Sequence, residues 1–400
     1  MPEGADKPAS NKRLGEQAKR PIDKNRGEQV GIGATQVVGL PTALLSLCDR
    51  VLETALCAFC LLALLWPSPS RATENEEGAR VVDLSLVGDV QFGRYKRGSQ
   101  QLHSADADWS EVSASLGAAQ FRLINLETVL SERLPVEGDE GIHLISPPHI
   151  ASFLAEQGID VAVLANNHIN DAGLDGALDT AAHLEAAGIA SVGLAREHGD
   201  DPFAPLLIER DGVALAVFAV TTFVSVPLHG RRRYAQAESD QVPKRLHDAL
   251  RTLREEDPER LLIVSLHWGE EDEFRPNDEQ VALARGLIDA GAHLVFGHHA
   301  HVLQPAERWG EGAILYSMGN FFFHQDEDFH RRSAIAQLRF VFDGAGWTLD
   351  TLRFDCVERV DSMLSSCSEE SSEALWQQLA KASKRLRWNM CHANGTQCSY

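Results

Sequence analysis

Six side chains in this sequence combine metal-ligating types with telling placement: Asp89, Glu127, Asn167, His267, His299 and His301. Together they offer carboxylate oxygen, amide oxygen and imidazole nitrogen, with no thiolate. That mixture suits divalent Mn, Fe or Zn, one ion or two, rather than a structural cysteine-zinc site. A carboxylate such as Glu127 can bridge two cations. A bridged pair activates water and clamps a phosphoryl group during in-line displacement. Each residue alone also has a plainer reading. Gly88-Asp89 is a common turn signal. His267 alone suits a hydrogen-bonded surface histidine, and Asn166-Asn167-His168 suits a loop. The close group His298, His299 and His301 is harder to read that way.

The elements behind these residues favour a shared site. Val81–Val87 reads as a strand running into Gly88-Asp89, and Phe121–Asn125 as one running into Leu126-Glu127. Ile159–Leu164 leads to Asn167-His168, Leu261–Leu266 to His267, and His293–Phe296 to His299 and His301. Helical patterns over Ile150–Gln157, Leu174–Ala187, Val242–Arg254 and Glu279–Ala290 alternate with these strands. Continuous apolar strands alternating with helices predict an α/β fold whose strands are covered on both faces. Ligands of such sheets sit at the carboxyl ends of the strands, so the five ends can converge. The later strands, near Ala313–Tyr316, Ala334–Val341 and Trp347–Phe354, follow one another with few helices, which predicts a second sheet.

A net charge of -21 argues against nucleic acid as a partner, because an acidic chain gains nothing from counterion release. Residues 1–50 begin as a polar, mixed-charge tail without apolar periodicity and read as disordered. Val51–Trp66 is apolar but too short for an ordinary membrane span, which needs about 20 residues. With Ser70-Arg71-Ala72 as a cleavage site, residues 51–72 read as a signal peptide or an uncleaved signal anchor, so the chain is expected to be exported. No cysteine lies between Thr73 and Asp355, whereas Cys356, Cys367, Cys391 and Cys398 cluster at the end. In an exported chain this predicts two disulfides in a C-terminal extension, 356–400, with three pairings open. The remaining region, 80–355, counts as one domain.

The motifs Gly88-Asp89-Val90-Gln91-Phe92-Gly93-Arg94, Asn125-Leu126-Glu127-Thr128, Leu164-Ala165-Asn166-Asn167-His168, His267-Trp268-Gly269, Gly297-His298-His299-Ala300-His301 and Tyr316-Ser317-Met318-Gly319-Asn320-Phe321 stand in this order. In this they resemble the CapA family of poly-γ-glutamate capsule synthesis proteins, a branch of the calcineurin-like metallophosphatase superfamily. The resemblance runs from about Asp83 to Phe354. It implies a four-layer αββα sandwich with the site at the sheet edge. It places Asp89, Glu127, Asn167, His267, His299 and His301 as metal ligands and His168 as the acid that protonates a leaving group. His298 becomes an extra neighbour and Asn320 a support. One position departs from the superfamily: Gln91 stands where its first motif carries histidine. Arg94 is then a candidate to hold an anionic group near that gap.

Two functions follow as expectations. One is a metal-dependent hydrolase acting on a phosphoester substrate. The other is a non-catalytic envelope component that helps assemble or export an anionic polymer beside a polymer synthetase membrane complex. Fold alone does not choose between them.

Overall fold

Strand β1 (Arg80–Val90) organises the computed structural model, because its two faces feed two different cores. Val82, Leu84 and Leu86 point one way, and Val87 and Val90 the other. The parallel strands beside it, β2 (Phe121–Leu126), β3 (Val161–Val163) and β4 (Ala190–Val192), divide in the same manner. Phe121, Leu123, Val161 and Val163 join the first core, while Ile124, Leu126 and Ala162 join the second. This is the period-two alternation of a sheet buried on both sides.

Helices α1 (Ile150–Glu156) and α2 (Gly173–Ala186) cover the second core through Ile150, Leu154, Ala177, Ala181 and Leu184. The first core is shared with another sheet. That sheet contains β5 (Leu206–Arg210), β6 (Val213–Thr221), β7 (Leu261–His267), β8 (Leu294–His298), β9 (Ala306–Trp309) and β10 (Gly312–Leu315). Its order is β9-β10-β8-β7-β6-β5, with β6, β7, β8 and β10 parallel. Helices α3 (Val242–Glu256) and α4 (Asp278–Asp289) pack Leu246, Leu250, Ala284 and Leu287 into the same cluster. The layers therefore run helix, sheet, sheet, helix, the four-layer αββα sandwich expected. The description covers residues 79–399 apart from 96–101, 104–106, 136–140, 224–234, 237–241, 326 and 387–397.

The late strands correct part of one expectation, for of the three expected only β10 lies in the other sheet. Strands β11 (Asn320–Phe322), β12 (Arg332–Phe342), β13 (Trp347–Val360) and β14 (Met363–Ser366) do not build a second sheet. They return to the first, in the order β14-β13-β12-β1-β2-β3-β4, with β11 also on β1. β12 runs antiparallel to β1, Leu84 facing Leu338. Antiparallel neighbours need no crossover helix, which is why the helical pattern lapses here. The boundary expected at 356 falls inside β13, and α5 (Glu369–Ala382) buries Leu375 and Leu379 in the shared core. Cys356 and Cys367 form a disulfide. Cys391, the side chain of Cys398, the tail 1–50 and the segment 51–72 lie outside the described residues. Among the described residues no helix is long and apolar enough to cross a membrane.

The carboxyl end of β1 changes partners. It pairs with β12 up to Leu86, then with β11 from Asp89, which faces Asn320. Asp89 N–H donates to the Gly319 carbonyl at 2.8 Å. The chains can approach so closely because residue 88 is glycine: a Cβ there would lie 1.8 Å from the Gly319 oxygen. Gly88→Ala is therefore expected to cost roughly 3 kcal/mol, at the upper end of overpacking. Gly117→Ala, whose Cβ would meet nothing within 4 Å, should shift stability by no more than about 0.5 kcal/mol. Urea unfolding of the two variants checks the contrast.

Candidate metal centre

The strand ends converge as topology requires, and the side chains on them are almost wholly buried. Asp89, Glu127, Asn167, His267, His299 and His301 are each at most 7% exposed. Two groups of ligand atoms come within 4.8 Å of one another: Glu127, His267 and His299, and Asp89, Glu127 and His301. Glu127 belongs to both. The neighbouring pair His299 and His301 is thus divided between the groups. Backbone geometry makes this division, since both residues have positive φ, 89° and 56°. Non-glycine residues adopt that region only under constraint from their surroundings.

Amide side chains hold most of these groups in place. Asn125 donates from Nδ2 to Asp89 Oδ1 at 2.8 Å, and Asn166 donates to Asn125 Oδ1 at 3.2 Å. His267 donates from Nε2 to Asn167 Oδ1 at 2.7 Å. His301 donates from Nδ1 to Asn320 Oδ1 at 2.9 Å. Asn320 therefore touches a ligand-type histidine without joining either group. His298 donates from Nδ1 to Asp89 Oδ1 at 3.0 Å, so it is a buried partner of Asp89. Phe223 stacks on His299 with ring centroids 4.4 Å apart.

Glu127 is the exception. Both of its oxygens are buried and accept no hydrogen bond among the described residues. The nearest cationic-type atoms are Nε2 of His267 at 3.7 Å and Nε2 of His301 at 4.0 Å. His299 Nδ1 is likewise buried without a partner among the described residues. A buried carboxylate without donors is costly, and a cation between Glu127 and the imidazoles would remove that cost. The donor set fits such an ion. Titration behaviour follows the same environment. Burial, then the Asp89 charge, pushes the Glu127 carboxyl well above its usual range. Burial acts the same way on Asp89, but hydrogen bonds from His298 and His301 outweigh it and hold the group well below. Burial and the His299 charge lower His267, and burial with the His301 charge lowers His299 to about 4. At His301 burial is outweighed by Asp89, which raises it.

A cleft of about 300 Å³ opens beside this centre, lined by Arg94, Asn167, His168, Glu271, His301 and Phe323 among others. Arg94 thus faces the cleft shared by His168 and His301, and its Nε is buried without a partner among the described residues. His168 donates from Nδ1 to Asp171 Oδ2 at 2.7 Å, an oxygen that also receives the Leu144 N–H. Gln91 turns its Oε1 to His324, accepting from its backbone N–H at 3.1 Å. The sequence reading gave no role to Asn125, Asn166, Asp171, Phe223 or His324. The available signals were Asn125 within an apolar strand, two residues before Glu127, and Asp171 three residues after His168.

Residues 83–325 match the family model "Bacterial capsule synthesis protein PGA_cap". The chain is 29% identical over 351 residues to the capsule biosynthesis protein CapA of Bacillus anthracis, covering 84% of this chain and 82% of that one. It is 28% identical to the PGA biosynthesis protein CapA of Bacillus subtilis (strain 168), covering 72% and 75%. Among solved structures, a hypothetical protein from Thermus thermophilus superposes with a TM-score of 0.41 at 16% identity, covering 70% of this chain and 100% of that one.

Glu127 provides a pH test. Its raised carboxyl contributes stability that is fully present below the ordinary value of 4.5 and is lost as pH rises above it. His267 and His299 act oppositely, losing stability as pH falls below their ordinary 6.5. Comparison with Glu127→Gln isolates the first effect. In chelator the variant should gain on the parent as pH rises from about 4 to 8, by up to about 1.4 kcal/mol per pH unit. Added Mn should stabilise the parent alone. Chemical unfolding across that range measures both differences.

Proposed function

Given that this chain belongs to the bacterial capsule synthesis protein PGA_cap family, we propose that it serves capsule-type polymer biosynthesis through a metal-dependent phosphoesterase-like site. The observation that carries the catalytic part is the unpartnered Glu127 carboxylate, shared by two ligand groups. Glu127, His267 and His299, with Asn167 beside them, would hold one divalent ion. Asp89, Glu127 and His301 would hold another. A cation in this cradle supplies Lewis-acid polarisation of a phosphoryl oxygen and activation of water.

The remaining tasks fall to side chains of the chain itself. Asp171 fixes the His168 ring with Nδ1 as donor, leaving Nε2 as the atom that carries or gives up the proton for a leaving group. Arg94 offers a guanidinium to an anionic group of a substrate in the cleft. The relatives' names point to capsule and PGA biosynthesis, so an anionic polymer or its phosphoester precursor is the substrate class, with a polymer synthetase membrane complex as partner. Export through the segment 51–72 belongs to the same reading. Gln91 favours a second reading in one respect: glutamine at this position, bonded to His324, gives the first motif no imidazole ligand, as suits an envelope component that binds metal and polymer without turnover.

The full chain loaded with Mn is expected to hydrolyse a p-nitrophenyl phosphoester. His168→Ala should lower kcat about 10²–10⁴-fold with unchanged metal content by elemental analysis. Absence of turnover with every divalent cation would overturn the catalytic reading. A polymer phenotype retained in a native host carrying His168→Ala would then support the second.

A further inference from the structure

The loop that carries His299 and His301 has positive φ at both residues, and one of its backbone bonds leads outside the centre. Its middle residue, Ala300, offers its carbonyl to the backbone N–H of Asp272 at 3.0 Å. Asp272 is itself at positive φ, 63°. Three non-glycine residues in the left-handed region, Asp272, His299 and His301, are thus tied together by one backbone hydrogen bond. Such conformations persist only where neighbours over-determine them.

His330 supplies that constraint for Asp272. Its ring is buried, 5% exposed at the side chain, and donates from Nε2 to Asp272 Oδ1 at 2.6 Å. Its Nδ1 faces Glu327 Oε2 at 3.1 Å. Both partners are carboxylates. Phe329 lies tilted beside this ring at 4.2 Å and meets Phe274 from the Asp272 loop edge-on at 5.7 Å. Asp272 and Glu327 are more than half exposed at the side chain, so burial does not lock Asp272. The bond to His330 does.

We infer that His330 is a positioning residue for the metal centre: through Asp272 and Ala300 it sets the backbone that presents His299 and His301 to their separate ligand groups. It touches no ligand-type side chain of the centre itself. The inference rests on the proposed metal centre, and it assigns a function to a buried histidine that neither the hydrolytic nor the polymer-binding reading uses. Because Ala300 lies between the two histidines, loss of the clasp should weaken both metal positions together. Loss of a contact private to one group, such as Asn320 on His301, should weaken one.

Calorimetric titration of the full chain with Mn and with Zn tests this. His330→Ala is expected to bind each metal about 10–100-fold more weakly at every position the parent fills. His330→Gln keeps an N–H near the place of Nε2 and should recover most of the affinity. Asn320→Ala should weaken one position and spare the other. Should His330→Ala fold poorly, Asp272→Gly reads the same link. It accepts positive φ and keeps the N–H but removes the carboxylate, so weakened metal binding is expected there too. Parent-like affinity in a folded His330→Ala or in Asp272→Gly would overturn the inference. A parent that binds neither metal would instead overturn the metal centre on which it rests.

Discussion

A carboxylate with nothing to hold it governs this structure. Glu127 is fully buried at the end of β2, and no N–H or O–H among the described residues reaches either oxygen. The groups around it are differently placed. Asp89 has Asn125 and His298, His267 has Asn167, and His301 has Asn320. These amides orient the Asp89 carboxylate and the His267 and His301 rings, as supporting groups do around metal ligands. They also keep those neighbours from turning toward Glu127. The result is one carboxylate oxygen, Oε1, that faces two imidazole nitrogens at 3.7 and 4.0 Å. These separations exceed hydrogen-bonding distance.

The close approach of backbone segments serves the same end. β1 can end beside β11 only because Gly88 leaves room for the Gly319 carbonyl, and that contact sets Asp89 opposite Asn320. Gly297 plays a related part before the histidine loop, since a Cβ there would lie 2.0 Å from the Tyr316 oxygen. Small residues at the strand ends thus let two sheets and a loop bring their polar tips into one volume. The centre has unequal halves. On one side Phe223 covers His299. On the other, Gln91 is turned to His324, and the cleft opens past His301 toward Arg94.

The sequence made the parallel strands and their polar ends easy to find, because continuous apolar runs ending in Asp, Glu, Asn or His are unusual. Strands β1, β2, β3, β7 and β8 lie where that pattern puts them. Short or edge strands were hidden: the apolar run of β5 is only Leu206–Ile208, with Leu207 exposed, and β11 is three residues long. Sheet membership was equally hidden for β12 and β13, since periodicity gives the strand but not its neighbour. In the site, residue types could be read, but partners could not. Asn125 and Asp171 act through contacts across 36 and 3 positions respectively, and the longer contact depends on strand pairing alone. The division of His299 from His301 depends on backbone torsions that side-chain types do not encode.

The return of β12 to β1 has a consequence for how the chain acquires its structure. The central strand of the first sheet is finished at Val90, yet its antiparallel neighbour begins at Arg332. Until that distant segment is available, β1 presents an open row of backbone donors and acceptors. Pairings of such long sequence separation form slowly, and open strand edges invite association with other chains. The sheet therefore closes only after nearly the whole chain has been delivered. A chain threaded amino end first through a membrane would meet this condition late.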